Sequence, residues 1–214
     1  MLPCLLLMLA AHPQDTLRIS SALTLPVFDG AVGSAEYGVP AVVIPRPQGE
    51  VRLWAVESEG QVYLALSLPD STFYWGDDAV ISLDISGDRG AAPGHDDFQW
   101  YFRRVLDSSV VYRGEQGKWW PPRDDPDWRL GSERSGGGWE VRSVSDAKGW
   151  SLEFRLDRAY FTEAKRGTPA ISIRVYDNAP HGWHVWPAAP GVRHPTEIER
   201  RPELWVPVIL SSGH

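Results

Sequence analysis

From Thr16 onward, short apolar or β-branched runs alternate with clusters of Gly, Pro, Asp and Ser, a pattern that fits an antiparallel β protein and little else. The clearest run is Gln61-Val62-Tyr63-Leu64-Ala65-Leu66-Ser67-Leu68. In it Val62, Leu64, Leu66 and Leu68 recur at every second residue and so share one face of a strand. It stops at Pro69-Asp70. The run before it, 51–57, joins through Ser58-Glu59-Gly60, a connection of hairpin length. Further strands are predicted at 79–85, 98–105, 109–113, 139–144, 150–156, 170–176 and 204–210. So many strands with intervening turns predict a two-sheet antiparallel β-sandwich of jelly-roll or immunoglobulin-like type with minimal helix. Single helical turns are predicted at 157–161 and 195–199. With no long helical period between strands, a doubly wound α/β fold is excluded. The long connection 114–138, rich in Trp, Pro, Asp and Gly, has the length of a functional or mobile loop.

The length of 214 residues suits one large all-β domain, expected over 16–214. A net charge of -7 with no Lys/Arg cluster argues against nucleic acid as a partner, because phosphate affinity comes from many basic contacts. The single cysteine, Cys4, excludes an internal disulfide and any Cys-based metal spacing. It lies in an apolar run at 2–11, too short to span a bilayer and suited to the core of a signal peptide over 1–15. That segment predicts a secreted or periplasmic protein. No Lys or Arg precedes the run, which implies a start placed too late.

Eleven tryptophans are the compositional anomaly. Trp54, Trp139, Trp150 and Trp205 sit in strand-like runs and are expected in the core. Trp75, Trp100, Tyr101, Trp119, Trp120, Trp128, Trp183 and Trp186 lie in or beside turn-rich segments. A ring exposed on a rigid sheet makes a platform for the apolar face of a pyranose, with nearby Asp, Gln and Arg for its hydroxyls. Aspartates crowd the stretch 77–97, where Asp84 and Asp88 with loop carbonyls could serve calcium, an ion that prefers several oxygen ligands from an irregular loop. The same residues also suit turn capping. His181, His184 and His194 flank Trp183 and Trp186, so that two of them could share a transition metal. No G-x-S-x-G, H-E-x-x-H or phosphate-cradling motif is present.

The order of the pieces carries more than any one of them. Phe28-Asp29-Gly30 is followed by the Gln61-Val62-Tyr63-Leu64-Ala65-Leu66 strand and then by Trp75-Gly76-Asp77-Asp78-Ala79-Val80-Ile81-Ser82-Leu83-Asp84. After these come Asp96-Asp97-Phe98-Gln99-Trp100-Tyr101, Gly149-Trp150-Ser151-Leu152-Glu153 and a closing Trp205-Val206-Pro207-Val208-Ile209-Leu210. This arrangement, from about Phe28 to Leu210, resembles the family 9 carbohydrate-binding modules and their DOMON-like relatives.

The resemblance implies a non-catalytic β-sandwich that binds poly- or oligosaccharides by aromatic stacking, with calcium bracing its loops. Carried over by residue, Trp75 is the stacking ring, with Trp183 or Trp186 opposite. Gln99, Tyr101 and Arg103 are the polar sugar contacts. The calcium that the resemblance implies is expected, on the aspartates of this sequence, at Asp70, Asp84, Asp88, Asp96 and Asp97, in a structural role. The family's glutamate in V-E-I is replaced by Ile81, and its second tryptophan is missing from the stretch 196–202. The rival readings are an exported interaction domain without a sugar ligand and a glycoside-active enzyme using a pair such as Asp78 and Asp97.

Overall fold

The computed structural model describes residues 16–47, 49–122, 129–131, 138–178, 181–188 and 195–211. The leader run 2–11, Trp128 and His194 lie outside the described residues. In chain order the elements are β1 (Leu17–Ser21), α1 (Ser34–Tyr37), β2 (Val42–Arg46), β3 (Gly49–Ser58), β4 (Gln61–Leu68), β5 (Asp78–Asp84), β6 (Asp97–Arg103), β7 (Ser108–Glu115), β8 (Lys118–Trp120) and β9 (Arg129–Gly131). They continue with β10 (Trp139–Ser145), β11 (Trp150–Asp157), α2 (Ala159–Thr162), β12 (Ala170–Asn178), β13 (His181–Trp186) and β14 (Val206–Leu210).

Two layers enclose the core. One runs β10-β11-β4-β3 with β2 beside β3; the other runs β14-β12-β5-β6-β7-β8, with β13 beside β12 and β9 beside β7. The expected sandwich is therefore present, with one difference in pairing. β1 runs parallel to β14 through Leu17, Arg18 and Ile19, then parallel to β3 through Ser20 and Ser21. A single strand that changes partner halfway stitches the layers into one curled sheet. The hydrophobic pattern explains which faces meet. Leu64 and Leu66 of β4 and Ile81 of β5, each 0% exposed, belong to one core cluster with Trp100, Phe102 and Leu152.

Burial corrects two of the tryptophan expectations. Trp100 and Trp186 are buried in that core rather than displayed on loops. In β6, Trp100 alternates with Gln99 and Tyr101, and in β13, Trp186 alternates with Val185, so a strand's period of two directs both rings inward. Trp54, Trp139, Trp150 and Trp205 are buried, as their strand-like settings predict. Trp119 stacks on Trp205, with centroids 6.4 Å apart and planes within 6°.

The outer face of β4 is also buried, because residues 22–37 cross it and cover Tyr63 and Ala65 with Phe28, Val32 and Tyr37. A buried carboxylate fastens this arm. Glu153 of β11 is 0% exposed. Its Oε2 accepts the Asp29 and Gly30 backbone N–H groups at 2.9 and 2.6 Å, and its Oε1 accepts the Tyr37 hydroxyl. Gly30 adopts φ 86°, and a Cβ there would meet the Ser143 backbone at 2.7 Å, so only glycine fits the crossing. The Asp29-Gly30 and Gly149-Trp150-x-x-Glu153 pieces of the sequence pattern are thus the two halves of one clasp.

Glu153→Ala leaves three donors without their acceptor, and we expect a loss of about 3 kcal/mol, roughly 6–12 °C in Tm, by calorimetry. A shift under about 2 °C would mean that the clasp contributes nothing.

Candidate functional site on the polar sheet face

The side of the β5–β6–β12 sheet that faces away from the core is built from alternate residues of each strand, and these are polar except for Val80 and Ala170. Register fixes which of them are neighbours. Asp78 pairs with Arg103 and Val80 with Tyr101 across β5 and β6. Val80 also pairs with Arg174 across to β12, and Tyr176, two residues further on, pairs with Trp183 of β13. Arg103, Asp78, Tyr176 and Trp183 therefore share one face at the same end of four adjacent strands.

The contacts along this end are specific. The Asp78 carboxylate accepts the Tyr101 hydroxyl and, at 3.2 Å, the Arg103 Nε. Its pKa is raised, chiefly by burial, with Tyr101 and Arg103 pulling it back. Tyr101 is pushed up to about 12, first by burial and then by its bond to Asp78, so its proton stays on the oxygen. The Tyr176 and Trp183 rings meet edge to face at 5.3 Å. Arg174, 2% exposed, lies with its guanidinium 4.9 Å from the Trp183 ring centre and forms a 2.5 Å ion pair with Glu199.

Trp75 reaches this row from the connection between β4 and β5. It is 66% exposed, and the Arg103 guanidinium lies 4.8 Å from its ring centre. Tyr74 meets His181 at 6.0 Å, and Gly76 sits against Tyr176, where an added Cβ would approach the ring at 3.0 Å. The connection is held from beneath by a buried ion pair. Arg104 Nη1 donates to Asp77 Oδ2 at 2.8 Å and to the Thr72 carbonyl at 2.5 Å, and Arg104 Nε donates to Ser145 Oγ at 3.1 Å. The guanidinium also lies between the Phe73 and Trp150 rings, at 5.1 and 5.4 Å. Asp77, 0% exposed, takes the Tyr74 N–H as well. Residues 72–77 are thus wrapped around one buried cation, and Trp75 is displayed at the outside of the wrap.

The structure brings Trp75, Tyr101, Arg103 and Trp183 to this region. Gln99 lies on the same face but further in, 4% exposed, with its Nε2 at 3.4 Å from Ser82 Oγ. Trp186 is on the core side and offers no ring here. Ile81 also faces the core, so the site-facing residue in that strand is Val80. His181 and His184, three apart on one strand, point to opposite faces and do not come together as metal ligands. Tyr176, Arg174 and Arg104 were not singled out from the sequence. The available signal for Arg174 and Tyr176 was their alternation with Ile173 and Val175.

At the far end of β5 and β6 lies the acidic group. Carboxylate oxygens of Asp84, Asp88 and Asp96 all lie within 4.8 Å of one another. Asp97, opposite Asp84, is 1% exposed; its Oδ2 accepts the Gly94 N–H at 2.7 Å while its Oδ1 has no partner. Burial, reinforced by Asp84, Asp96 and Asp88, pushes Asp97 up to about 8. The three clustered carboxylates are an all-oxygen set of the kind a hard divalent cation such as calcium takes, and Asp97, near enough to feel their charge, lies outside that group of three. Asp70 does not belong to this set: it sits at the other end of the sheet, capping Thr72 through Oδ1 beside Asp77. Asp78 and Asp97 are likewise at opposite ends, six residues apart along the strand direction. That is about 20 Å, beyond the roughly 5–9.5 Å that a glycosidase carboxylate pair requires.

No family model matches the sequence, and no curated protein matches it. The fold is similar to that of a carbohydrate binding module family 9 (CBM9) from Caldicellulosiruptor kristjanssonii in complex with cellotriose. That likeness has 13% identity over 93% of this chain and 95% of that chain, with a TM-score of 0.58. It is also similar to a CBM9 from the same organism in complex with glucose, at 14% identity over 92% and 97%, with a TM-score of 0.57. At this identity the likeness shows the shared β-sandwich fold. Among the described residues no helix is long and apolar enough to cross a membrane.

Two outcomes follow from the electrostatics. Asp77→Ala leaves Arg104 buried without its partner; we expect a loss of about 3–5 kcal/mol and freer access of acrylamide to Trp75 in fluorescence quenching. Unchanged quenching would show that the pair does not hold the loop. Asp97, without a cation, keeps its proton in the folded chain up to about pH 8, whereas in the unfolded chain it loses it near 3.8. The folded state then binds more protons between these values, so stability in EDTA falls as pH rises through that window. Asp77, Asp78, Asp84 and Glu153 are raised by burial as well and add to the fall, so Asp97→Asn is expected to flatten the slope, most of all toward pH 8; a slope unchanged there would assign it to the other groups.

Proposed function

We propose that the chain is an exported, non-catalytic carbohydrate-binding module that holds a poly- or oligosaccharide at the Trp75 end of its polar sheet face. The observation that carries the reading is Trp75 itself: a large ring 66% exposed on a loop immobilised from beneath, beside Arg103 and in line with Tyr176 and Trp183. An exposed ring that is already ordered loses little conformational freedom on binding, and its flat face matches the apolar face of a pyranose. Tyr101 and Arg103 are the polar contacts. The shared fold with modules solved with cellotriose and glucose supports the ligand class. The distance between Asp78 and Asp97 removes that pair as glycosidase carboxylates. Calcium at Asp84, Asp88 and Asp96, beside Asp97, acts on loop stability, about the length of β5 away from the sugar.

Trp75→Ala abolishes retention of the protein by soluble glucans and xylans in affinity electrophoresis, while Tm stays within about 3 °C because the ring packs against little. Retention that survives the substitution, or a wild-type protein that no polysaccharide retards, would overturn the reading. For the metal, calcium raises Tm relative to EDTA; identical melting curves remove it.

A further inference from the structure

Resting on the carbohydrate-binding reading, the inventory of donors and acceptors at the site points further, to the class of sugar. A neutral pyranose brings hydroxyls that need acceptors as well as donors. Among the described residues at the Trp75 end, the carboxylate acceptors are already used, which leaves only the neutral Tyr176 hydroxyl and His181 ring, 3.4 Å apart. Asp78, 7% exposed at its side chain, gives one oxygen to Tyr101 and the other to Arg103. Glu199 is paired with Arg174. The strand position between Tyr101 and Arg174 is the apolar Val80.

Donors, by contrast, are in surplus. Arg103, whose side chain is 29% exposed, gives Nε to Asp78 and one Nη2 hydrogen to the Tyr101 oxygen at 3.4 Å, so Nη1 and the second Nη2 hydrogen form its remaining edge beside the Trp75 ring. The guanidinium is fixed in place by two rings, Trp75 at 4.8 Å and Tyr101 at 5.5 Å. Two strands away on the same face is Arg174, 2% exposed, whose Nε finds no acceptor. An immobilised guanidinium with a free two-nitrogen edge is the geometry that receives a carboxylate in a bidentate pair. Its position beside an exposed indole lets one ligand use the charge and the ring together.

We propose that the site selects sugars carrying a carboxylate, namely uronic acid residues, over their neutral counterparts, with Arg103 as the specificity-determining residue. The sugar ring lies against Trp75 while its carboxylate meets the outer edge of Arg103. The rest of the acidic chain, at net charge -7, makes this cationic edge a local exception and opposes nonspecific capture of anions.

The test is titration calorimetry of the intact protein with oligosaccharides matched in linkage and length, one set ending in glucose and the other in glucuronate, at low and at raised salt. We expect the uronate set to bind about tenfold more tightly at low salt, with the advantage shrinking as salt rises. Arg103→Gln keeps a polar amide beside the ring and is expected to bring the two sets to within about twofold of each other. Neutral sugars that bind as well as or better than uronates overturn this inference and leave the carbohydrate-binding reading standing. Binding of neither set, with a folded protein confirmed by its melting curve, overturns both. An uronate preference that Arg103→Gln leaves intact removes Arg103 from the account.

Discussion

The buried pair of Arg104 and Asp77 holds together the end of the sandwich where the candidate site lies. Arg104 follows directly on β6, so its backbone position is set by a strand whose neighbours are packed in the core. From there its guanidinium collects the Thr72 carbonyl, the Asp77 carboxylate and the Phe73 ring, and in doing so closes residues 72–77 into a fixed loop. A charge this deeply placed costs a large desolvation penalty, which the Asp77 carboxylate, the Thr72 carbonyl and the Ser145 hydroxyl offset. Removing one member leaves the other uncompensated. The loop is thereby restricted to the conformation that displays Trp75.

Strand periodicity supplies the second half of the arrangement. Each of β5, β6 and β12 turns its odd or even residues inward to the core and the alternate set outward. The outward set places Asp78, Tyr101, Arg103, Arg174 and Tyr176 on one surface with no helix to carry them. The same strands carry the acidic group at their opposite end. Sugar contacts and a cation would thus be coupled through the rigidity of the sheet rather than by touching. The Glu153 clasp does for the other layer what Arg104 does for this one: it places a single buried charged group where a segment lacking regular structure must be held.

Much of this was legible in the sequence, for physical reasons. Alternation in 61–68 fixed a strand whose bounds the structure reproduces, and most other predicted strands fall within a few residues of the observed ones. The short strands β1, β2, β8, β9 and β13 were missed. β1 is too short to show a period, and β13, with His181, Gly182 and His184, lacks the β-branched run that marks a strand. Trp186 and Trp100 are buried despite the turn residues near them in sequence, because the strand period decides which way a ring points. Asp70 was expected to share a calcium group with Asp84, but the length of β5 separates them. Arg104 and Arg174 carried no sequence signal, since a lone arginine beside a strand reads as solvated until its partners, distant in the chain, are known.

The central claim is that the Trp75 end of the polar face binds carbohydrate, and a glycan array probed with the purified protein, with calcium in the buffer, tests it most directly. The account predicts retention on a restricted group of saccharides that share a terminal or internal sugar, and loss of that signal in Trp75→Ala at equal loading. An array on which the folded protein binds no glycan, or on which Trp75→Ala binds as the unaltered protein does, would contradict it.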